Sequence, residues 1–396
     1  MSTPEALYRN AIDLNRYSNS VSRRIINAYN SIILDAVNQL RTTAELDETL
    51  KAQRLRSILA QLKASLSTWA GDSTEITATD LQGLAELQSE FVTEELRKVL
   101  PAARRNIVNT VEISPQFAQA VVTTDPTQIN VVALSDDLVA AINGAPQTFS
   151  LTAAKGATVT LPNGQVISKA FRGIASNQAD LFGQVVRDGL LTGETTDEIA
   201  SRLKGRLRFN QPGSPRPIAL AGGQVTTAAN HQVQALVRTS INQVANKAST
   251  QVYEANQDIT NKYRYVATLD SRTSSICQAL DGREFEYGKG PMPPQHFNCR
   301  STTVPVIDYE ELGLDAPPEG DRSSQTGLVP ADVSYGQWLA EPKNEAIKIK
   351  TLGKQRAQYF DRLSRKYGPK NAIAKLVRDD GSELTLQDLR KRYGRL

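Results

Sequence analysis

Cysteine, histidine and aromatic residues are scarce in this chain of 396 residues. It contains two cysteines, two histidines and two methionines, and aromatic residues make up 6%. So few cysteines exclude a disulfide-rich secreted domain and fit an intracellular product. No apolar run approaches the roughly 18 residues of a membrane helix. The first residues, MSTPEALYRN, lack the basic and apolar segments of a secretion signal. These absences predict a protein made in the cytoplasm without a membrane anchor.

The signatures of several common enzyme classes are also missing. The chain has no P-loop, GxSxG, HExxH or GxGxxG motif in a fitting context. Hydrophobic residues make up 40%, which is enough for a sizeable core. The length predicts two or three folding units rather than one.

The net charge of +4 is divided unevenly along the chain. Residues 343–396 hold 15 Lys and Arg but 6 Asp and Glu, so this tail carries +9 and the remainder −5. A basic tail predicts contact with nucleic acid or with an acidic protein surface, and the alternative is a solvated helical face. The candidate contacts, including those of a basic segment described below, are Arg202, Lys204, Arg206, Arg208, Lys354, Arg356, Arg390, Lys391 and Arg392.

The first 110 residues carry helical patterns. A capping box at Ser2 and Glu5 is followed by apolar residues at helical spacing, which predicts a helix over residues 4–41. A helix of roughly 55 Å needs a packing partner, and the leucine stripe of residues 45–69 supplies one. The Gly-Asp-Ser step at 71–73 predicts a break, and residues 80–106 a third helix. Together they predict an antiparallel helical arm.

The middle of the chain mixes strand and helix patterns. Residues 148–167 alternate, and the Leu-Pro-Asn-Gly step at 161–164 predicts a hairpin turn. Residues 170–191, 196–203 and 225–256 predict helices. Residues 202–217 (RLKGRLRFNQPGSPRP) hold five basic residues, no acid, two Gly and three Pro. This composition predicts a loop, which is either mobile or a contact for phosphate or a partner.

Residues 263–306 (YRYVATLDSRTSSICQALDGREFEYGKGPMPPQHFNCRSTTVPV) hold both cysteines and one histidine. Their alternation predicts strands over 263–269, 283–287 and 301–307. Asp270 suits an Asx-type turn and Asp281-Gly282 a tight turn. Pro293-Pro294 predicts an extended polyproline step. We expect a compact cluster of loops between short strands.

The chemistry of Cys277, His296 and Cys299 stays open in the sequence. They offer three soft ligands, whereas a zinc site needs four, or three and a water, and Asp270 or Asp281 is a candidate for the fourth. A disulfide would close a loop of about 23 residues and contribute about 3 kcal/mol, but such bonds rarely persist in a reducing cytosol. Cysteine and histidine also form nucleophile–base pairs. We favour a fourth interpretation, a packed and hydrogen-bonded structural unit.

This segment resembles the signature of the phage Mu protein F-like family of minor head proteins. The resemblance lies in Leu269-Asp270-Ser271-Arg272-Thr273, Cys277, Leu280-Asp281-Gly282, Pro293-Pro294, His296, Asn298-Cys299-Arg300 and Pro305. Val237-Arg238-Thr239 is similar to an Ala-Arg-Thr-type step of the family. The tail adds Trp338-Leu339, Leu352-Gly353-Lys354-Gln355-Arg356 and Leu384-Thr385-Leu386-Gln387-Asp388-Leu389. Many relatives carry further cysteines where this chain has Ser301 and Ser274 or Ser275, which weakens the case for an all-thiolate metal site.

The resemblance implies a non-enzymatic minor head protein of a tailed bacteriophage. It implies a virion component made in the host cytoplasm, inside the head near the portal vertex, acting in head morphogenesis and DNA ejection. The implied partners are the portal protein, the major capsid protein or scaffold, and double-stranded DNA bound without sequence specificity, with no membrane contact in the capsid. We expect no catalytic or cofactor-binding residues; a structural zinc at Cys277, His296 and Cys299 is the one candidate cofactor. The alternative is a Cys/His-dependent hydrolase or toxin-like enzyme.

Taken together, the patterns predict an α+β protein with a long helical N-terminal arm, a small mixed or antiparallel central sheet with flanking helices, and a helical C-terminal tail. The predicted units are an arm over 1–110, a core over 111–310, an acidic linker over 311–342 and a basic tail over 343–396. We expect Arg272 and Arg300 to pair with Asp270 or Asp281. The residues expected to define the fold are Asp270, Arg272, Asp281, Gly282, Pro293, Pro294 and Arg300.

Overall fold

The computed structural model describes residues 3–114, 148–151, 166–208, 219–318 and 320–395. It confirms the α+β class, with a helical N-terminal arm and a small antiparallel sheet of three strands flanked by helices. None of the helices it describes combines the length and apolar character needed to cross a lipid bilayer.

Two long helices form the N-terminal arm. Helix α1 spans Thr3–Arg41 and helix α2 spans Glu48–Val99. Asp47 caps α2 by accepting a hydrogen bond of 2.9 Å from the amide of Leu50. The two helices pack against each other, as the leucine stripe predicts.

The predicted break at Gly71-Asp72-Ser73 and the separate third helix starting at Asp80 are wrong, because α2 runs through both. A glycine inside a helix costs only about 1 kcal/mol. On either side of it, Trp69, Ala70, Ser73, Thr74 and Thr77 are all buried against neighbouring helices. Burial along this face outweighs the local preference for a turn.

Three further helices complete a bundle with the arm. They are α3 (Ile167–Leu191), α4 (Thr196–Lys204) and α5 (Gln224–Glu254), close to the bounds that periodicity predicts. Thr195 and Glu198 form a capping box at the start of α4. The bundle has one continuous apolar core, which includes Ile25, Tyr29, Trp69, Phe171, Phe182, Val237 and Ile241.

Two pairs of short strands lie at the ends of these helices. Strand β1 (Thr110–Ile113) pairs in parallel with β2 (Thr148–Leu151). Strand β3 (Gly205–Arg208) pairs antiparallel with β4 (Ala219–Gly222). The prediction of a loop from Arg202 is therefore wrong at its start, because α4 extends to Lys204 and β3 follows it. Composition alone cannot reveal a pairing strand further along the chain. Residues 209–218, and the predicted hairpin turn at 161–164, lie outside the described residues.

The central sheet has the order β6–β5–β7 and is antiparallel throughout. Its strands are β5 (Lys262–Val266), β6 (Glu284–Glu286) and β7 (Thr302–Val306), each within or close to a predicted strand. Between β5 and β6 lies helix α6 (Ser275–Leu280). We predicted only loops there, because a helix of six residues is too short to show a period. The Pro293–Pro294 peptide bond is cis, so this step is not the predicted polyproline segment.

The C-terminal part forms a second core. Residues 311–342, predicted as a linker, contain the hairpin β8 (Asp321–Ser324) and β9 (Gly327–Pro330) and helix α7 (Tyr335–Ala340). Short helices follow at Glu345–Leu352 (α8), Lys354–Tyr367 (α9), Pro369–Ala374 (α10) and Leu386–Tyr393 (α11). Their core includes Leu269, which belongs to residues 263–306 (the Cys/His segment), together with Tyr335, Trp338, Tyr359, Phe360 and Leu389. The proposed unit boundaries themselves stay predictions.

Candidate functional site

The fold brings Cys277, His296 and Cys299 together beside the central sheet. Cys277 lies in α6, after β5, while His296 and Cys299 lie in the segment between β6 and β7. Because β6 and β7 lie on either side of β5, the helix that follows β5 comes close to the segment that joins β6 to β7. The Sγ atom of Cys277 is 3.4 Å from Nε2 of His296 and 3.8 Å from Sγ of Cys299. Both cysteines are free thiols with 1% of their surface exposed.

Hydrogen bonds fix the orientation of the His296 ring. Its Nδ1 lies 2.7 Å from the carbonyl oxygen of Phe297. Since a carbonyl can only accept, Nδ1 carries the proton and Nε2 keeps its lone pair in the neutral ring. The Ser274 hydroxyl lies 2.7 Å from Nε2 and can donate to it. Nε2 is therefore an acceptor or ligand atom that faces Cys277.

The two thiols are electrostatically unequal. The hydrogen bonds that Cys299 makes with Cys277, His296 and the Ser301 amide hold the pKa of its thiol well below the usual range despite burial. The same bond with Cys299, together with burial, raises the pKa of Cys277. The pKa of His296 is raised, chiefly by its hydrogen bond with Cys299. Cys299 is thus the sulfur best suited to hold a negative charge.

Helix α5 supports the turn that presents Cys299. Asn298, immediately before it, has a φ of 62°, a left-handed conformation that asparagine tolerates better than most residues. Arg238 donates a hydrogen bond of 2.9 Å to the Asn298 side chain, and the Asn298 amide donates one of 2.9 Å to the Thr239 hydroxyl. Asn242 donates one of 2.7 Å to the carbonyl of Ser301. These contacts hold the loop in place from the helical bundle.

The first buried ion pair of the segment joins Asp270 to Arg300. The guanidinium donates to both carboxylate oxygens, at 2.6 and 2.8 Å. The Arg272 amide donates at 3.0 Å, completing the predicted Asx-type turn. Although burial would raise the pKa of Asp270, the pair with Arg300 keeps it below its usual range. The Arg272 side chain lies 3.5 Å from Asp270 and is 79% exposed, so its contribution is small.

The second buried ion pair involves an arginine that sequence reasoning missed. Arg322, in β8, donates to both oxygens of Asp281 at 3.1 and 3.2 Å. Asp281 also accepts hydrogen bonds of 2.6 Å from the amides of Ala267 and Tyr335. This one carboxylate therefore ties the central sheet to the C-terminal core. The sequence indicates this pairing only weakly, in that Arg322 is the first basic residue after the six acidic residues of 308–321.

Neither aspartate reaches the cysteines. Asp270 and Asp281 are occupied by Arg300 and Arg322, and the cluster of metal-ligand side chains found in the described part of the chain consists of Cys277, His296 and Cys299. The suggestion that either aspartate supplies a fourth ligand is wrong. Both carboxylates instead belong to the hydrogen-bonded framework around the site.

A glycine completes the turn beside Asp281. Gly282 has a φ of 74°, which a side chain would strain, and its amide donates to the carbonyl of Tyr265 at 2.8 Å. Nearby, the Tyr263 hydroxyl donates to the carbonyl of Pro291 at 3.1 Å. This bond holds the segment that leads to Pro293 and Pro294 against the sheet.

The basic candidates lie in different settings. Arg202 is paired with Glu194 at 2.6 Å, and Arg356 donates to the carbonyl of Leu384 at 3.0 Å. Lys204 is partly buried, and burial lowers its pKa. The side chains of Arg206 and Arg208 lie outside the described residues. The exposed members of the set are Lys354, Arg390, Lys391 and Arg392.

Comparison with known proteins agrees with the resemblance found in the sequence. Residues 180–304 match the model of the family described as Phage Mu protein F like protein. The matched region runs from α3 to β7 and includes the Cys/His cluster and both buried aspartates. No curated protein and no solved structure is significantly similar to the chain.

Proposed function

We propose, on the premise that residues 180–304 are a Phage Mu protein F like region, that this chain is a non-enzymatic minor head protein of a tailed bacteriophage. In this proposal it lies inside the head near the portal vertex and acts in head assembly and DNA delivery. Its partners are the portal protein, the major capsid protein or a scaffold, and the genome. The observation that carries the proposal is the match of the region containing the buried Cys/His unit.

Burial of the sulfur atoms supports a scaffolding role over catalysis. A nucleophilic cysteine needs a lowered pKa and access for its substrate. The pKa of Cys277 is raised, and although that of Cys299 is lowered, each cysteine is only 1% exposed, so a substrate has little access to either sulfur. The 3.4 Å contact between Cys277 and His296 is the observation that favours the alternative, a Cys/His hydrolase.

A thiol variant separates these two functions. Cys277→Ser removes the sulfur nucleophile while keeping a small polar side chain. If this variant and Cys299→Ser each fold and support infectious particles at the wild-type yield, a catalytic thiol is excluded. Loss of infectivity by a variant that is soluble and folded at wild-type levels would favour the enzyme instead.

The exposed basic side chains of the tail support a contact with phosphates. Lys391 and Arg392 lie exposed in the last helix, within a tail of net charge +9. Such a contact is independent of sequence and weakens steeply with salt, because binding releases counterions.

Paired charge reversals test this contact. Lys391→Glu with Arg392→Glu should weaken binding to double-stranded DNA and lower the slope of log K against log salt by about 1 for each phosphate that the variant no longer neutralises. Arg54→Glu with Arg56→Glu, at exposed positions of α2, is the matched control. Equal affinity of the two variants, or binding that is insensitive to salt, would remove the DNA contact from the proposal.

Locating the chain in particles tests the proposal as a whole. Mass spectrometry of purified proheads and virions should find the chain in far fewer copies than the major capsid protein. Density from asymmetric cryo-electron microscopy should lie inside the head at the portal vertex. Absence of the chain from proheads and virions alike would overturn the head role.

A further inference from the structure

The ligand atom of Cys277 lies at the distances from those of His296 and Cys299 that a tetrahedral metal ion would impose. With zinc–sulfur bonds of about 2.3 Å and zinc–nitrogen bonds of about 2.0–2.1 Å, such an ion keeps two sulfurs about 3.8 Å apart and a sulfur and nitrogen about 3.5 Å apart. The observed separations are 3.8 Å between the sulfurs and 3.4 Å between Cys277 Sγ and His296 Nε2. All three ligand atoms lie within 4.8 Å of one another. A disulfide would require the sulfurs to approach to about 2.0 Å.

The histidine is oriented as a ligand. Its Nδ1 donates to the Phe297 carbonyl at 2.7 Å, which leaves the Nε2 lone pair on the side of the sulfurs. A hydrogen bond of this kind on the far ring nitrogen is the usual support of a metal-binding histidine, because it fixes the tautomer and the ring plane.

The surroundings leave room for one more small ligand. A cavity of about 10 Å³ adjoins the cluster and is lined by Ser274, Cys277 and His296 among others, which is close to the volume that one water requires. The Ser274 hydroxyl, 2.7 Å from Nε2, would lose that acceptor to a metal and could then hold the water.

Charge balance also fits a divalent cation. Two thiolates buried together would repel each other, whereas Zn²⁺ with two thiolates forms a neutral unit. The neighbouring Arg300 is already balanced by Asp270, at 2.6 Å, and so is not needed as a counter-ion. Thiolate and imidazole ligands in tetrahedral geometry suit zinc, while magnesium and calcium prefer oxygen ligands.

We infer that Cys277, His296 and Cys299 bind one Zn²⁺ ion, with a water molecule in the fourth position. The ion joins α6, which follows the central strand β5, to the segment that leads into β7. The ion thereby holds α6 and the segment between β6 and β7 together beside the central sheet. This inference does not depend on the proposed role in the phage head, since it rests on the geometry of the three side chains.

Metal content and cobalt binding test the inference. The full chain, produced without a polyhistidine tag and purified under reducing conditions, should contain one equivalent of zinc by mass spectrometry of the elements. Cys299→Ser should contain less than a tenth of an equivalent, whereas His231→Ala, which removes the other, exposed histidine, should keep the full equivalent.

The second measurement does not require a variant to fold. Wild-type chain stripped of metal should bind one Co²⁺ and develop the visible absorption of tetrahedral cobalt and the near-ultraviolet band of a thiolate–cobalt bond. Zinc should abolish both signals by displacement. Metal-free isolated protein that also fails to bind Co²⁺ would overturn the inference, as would retention of a full equivalent of zinc by Cys299→Ser.

Discussion

Removing the carboxylate of Asp281 should loosen the contact between the central sheet and the C-terminal core. Its side chain is 0% exposed and that of Arg322 is 5% exposed, at a separation of 3.1 Å. Deleting one partner of such a pair leaves an uncompensated buried charge, which costs about 3–5 kcal/mol. Asp281→Ala also deprives the amides of Ala267 and Tyr335 of their acceptor. We expect the free energy of unfolding to fall by at least about 3 kcal/mol.

A double-mutant cycle separates the ion pair from general disruption. Arg322→Met should also destabilise the fold. Asp281→Ala combined with Arg322→Met should cost less than the sum of the two single changes, by about 0.5–3 kcal/mol, because no lone buried charge remains. Glu284→Ala is the matched control: its pair with Arg264 is partly exposed to solvent and should contribute less than about 1 kcal/mol.

The assay uses the two tryptophans of the chain. In a Trp69→Phe parent, the remaining Trp338 lies in the C-terminal core and reports its unfolding in urea by fluorescence. The denaturant midpoint should fall without a change of slope if only stability has changed. The reasoning is refuted if Asp281→Ala unfolds within about 1 kcal/mol of the parent, or if the two single changes are additive.

Three further predictions concern packing and ion-pair geometry. Gly336→Ala should destabilise the C-terminal core by about 1–3 kcal/mol, since an added Cβ would come within 2.3 Å of the Pro369 carbonyl oxygen. Gly173→Ala, in an exposed turn of α3 with open space around it, should instead stabilise the protein by about 0.5–1 kcal/mol. Thermal unfolding of both variants checks this, since Gly173→Ala should have the higher melting temperature and the opposite result contradicts the argument. Trp69→Ala should lower the free energy of unfolding of the bundle by about 3–5 kcal/mol, measured by circular dichroism in urea. A loss under about 1 kcal/mol would contradict this, because it would mean that neighbouring side chains move in and fill the cavity. Arg300→Lys should cost about 1.5–3 kcal/mol in the same assay, because lysine cannot form the two-pronged contact; an unchanged midpoint would show that charge alone suffices.

Local patterns were most informative where structure depends on neighbours in the chain. Periodicity predicted α1, α3 and α5, and the alternation of residue types between turn residues predicted the three strands of the central sheet. The same reasoning failed at Gly71-Asp72-Ser73, where a turn preference of about 1 kcal/mol is outweighed by burial along α2. It also missed α6, whose six residues show no measurable period.

Pairings between distant residues were predicted less well. The fork of Arg300 onto Asp270 was anticipated because both belong to one short segment of distinctive composition. The partner of Asp281 was not, because Arg322 lies 41 residues further along the chain and no local pattern joins them. Side-chain partners at this range depend on how β8 docks against the end of β5, which is a property of packing.

The amino-acid sequence by itself determined the α+β character, the positions of most helices and strands, and the set of two sulfurs and one imidazole. These follow from composition and from repeats a few residues long, where chain connectivity limits the alternatives. The tertiary structure alone decided that Asp281 pairs with Arg322, that neither aspartate joins the cysteines, and that the His296 lone pair faces the sulfur of Cys277. Those outcomes depend on the relative placement of elements far apart in the chain, and burial and hydrogen bonding settle that placement only when the whole molecule folds.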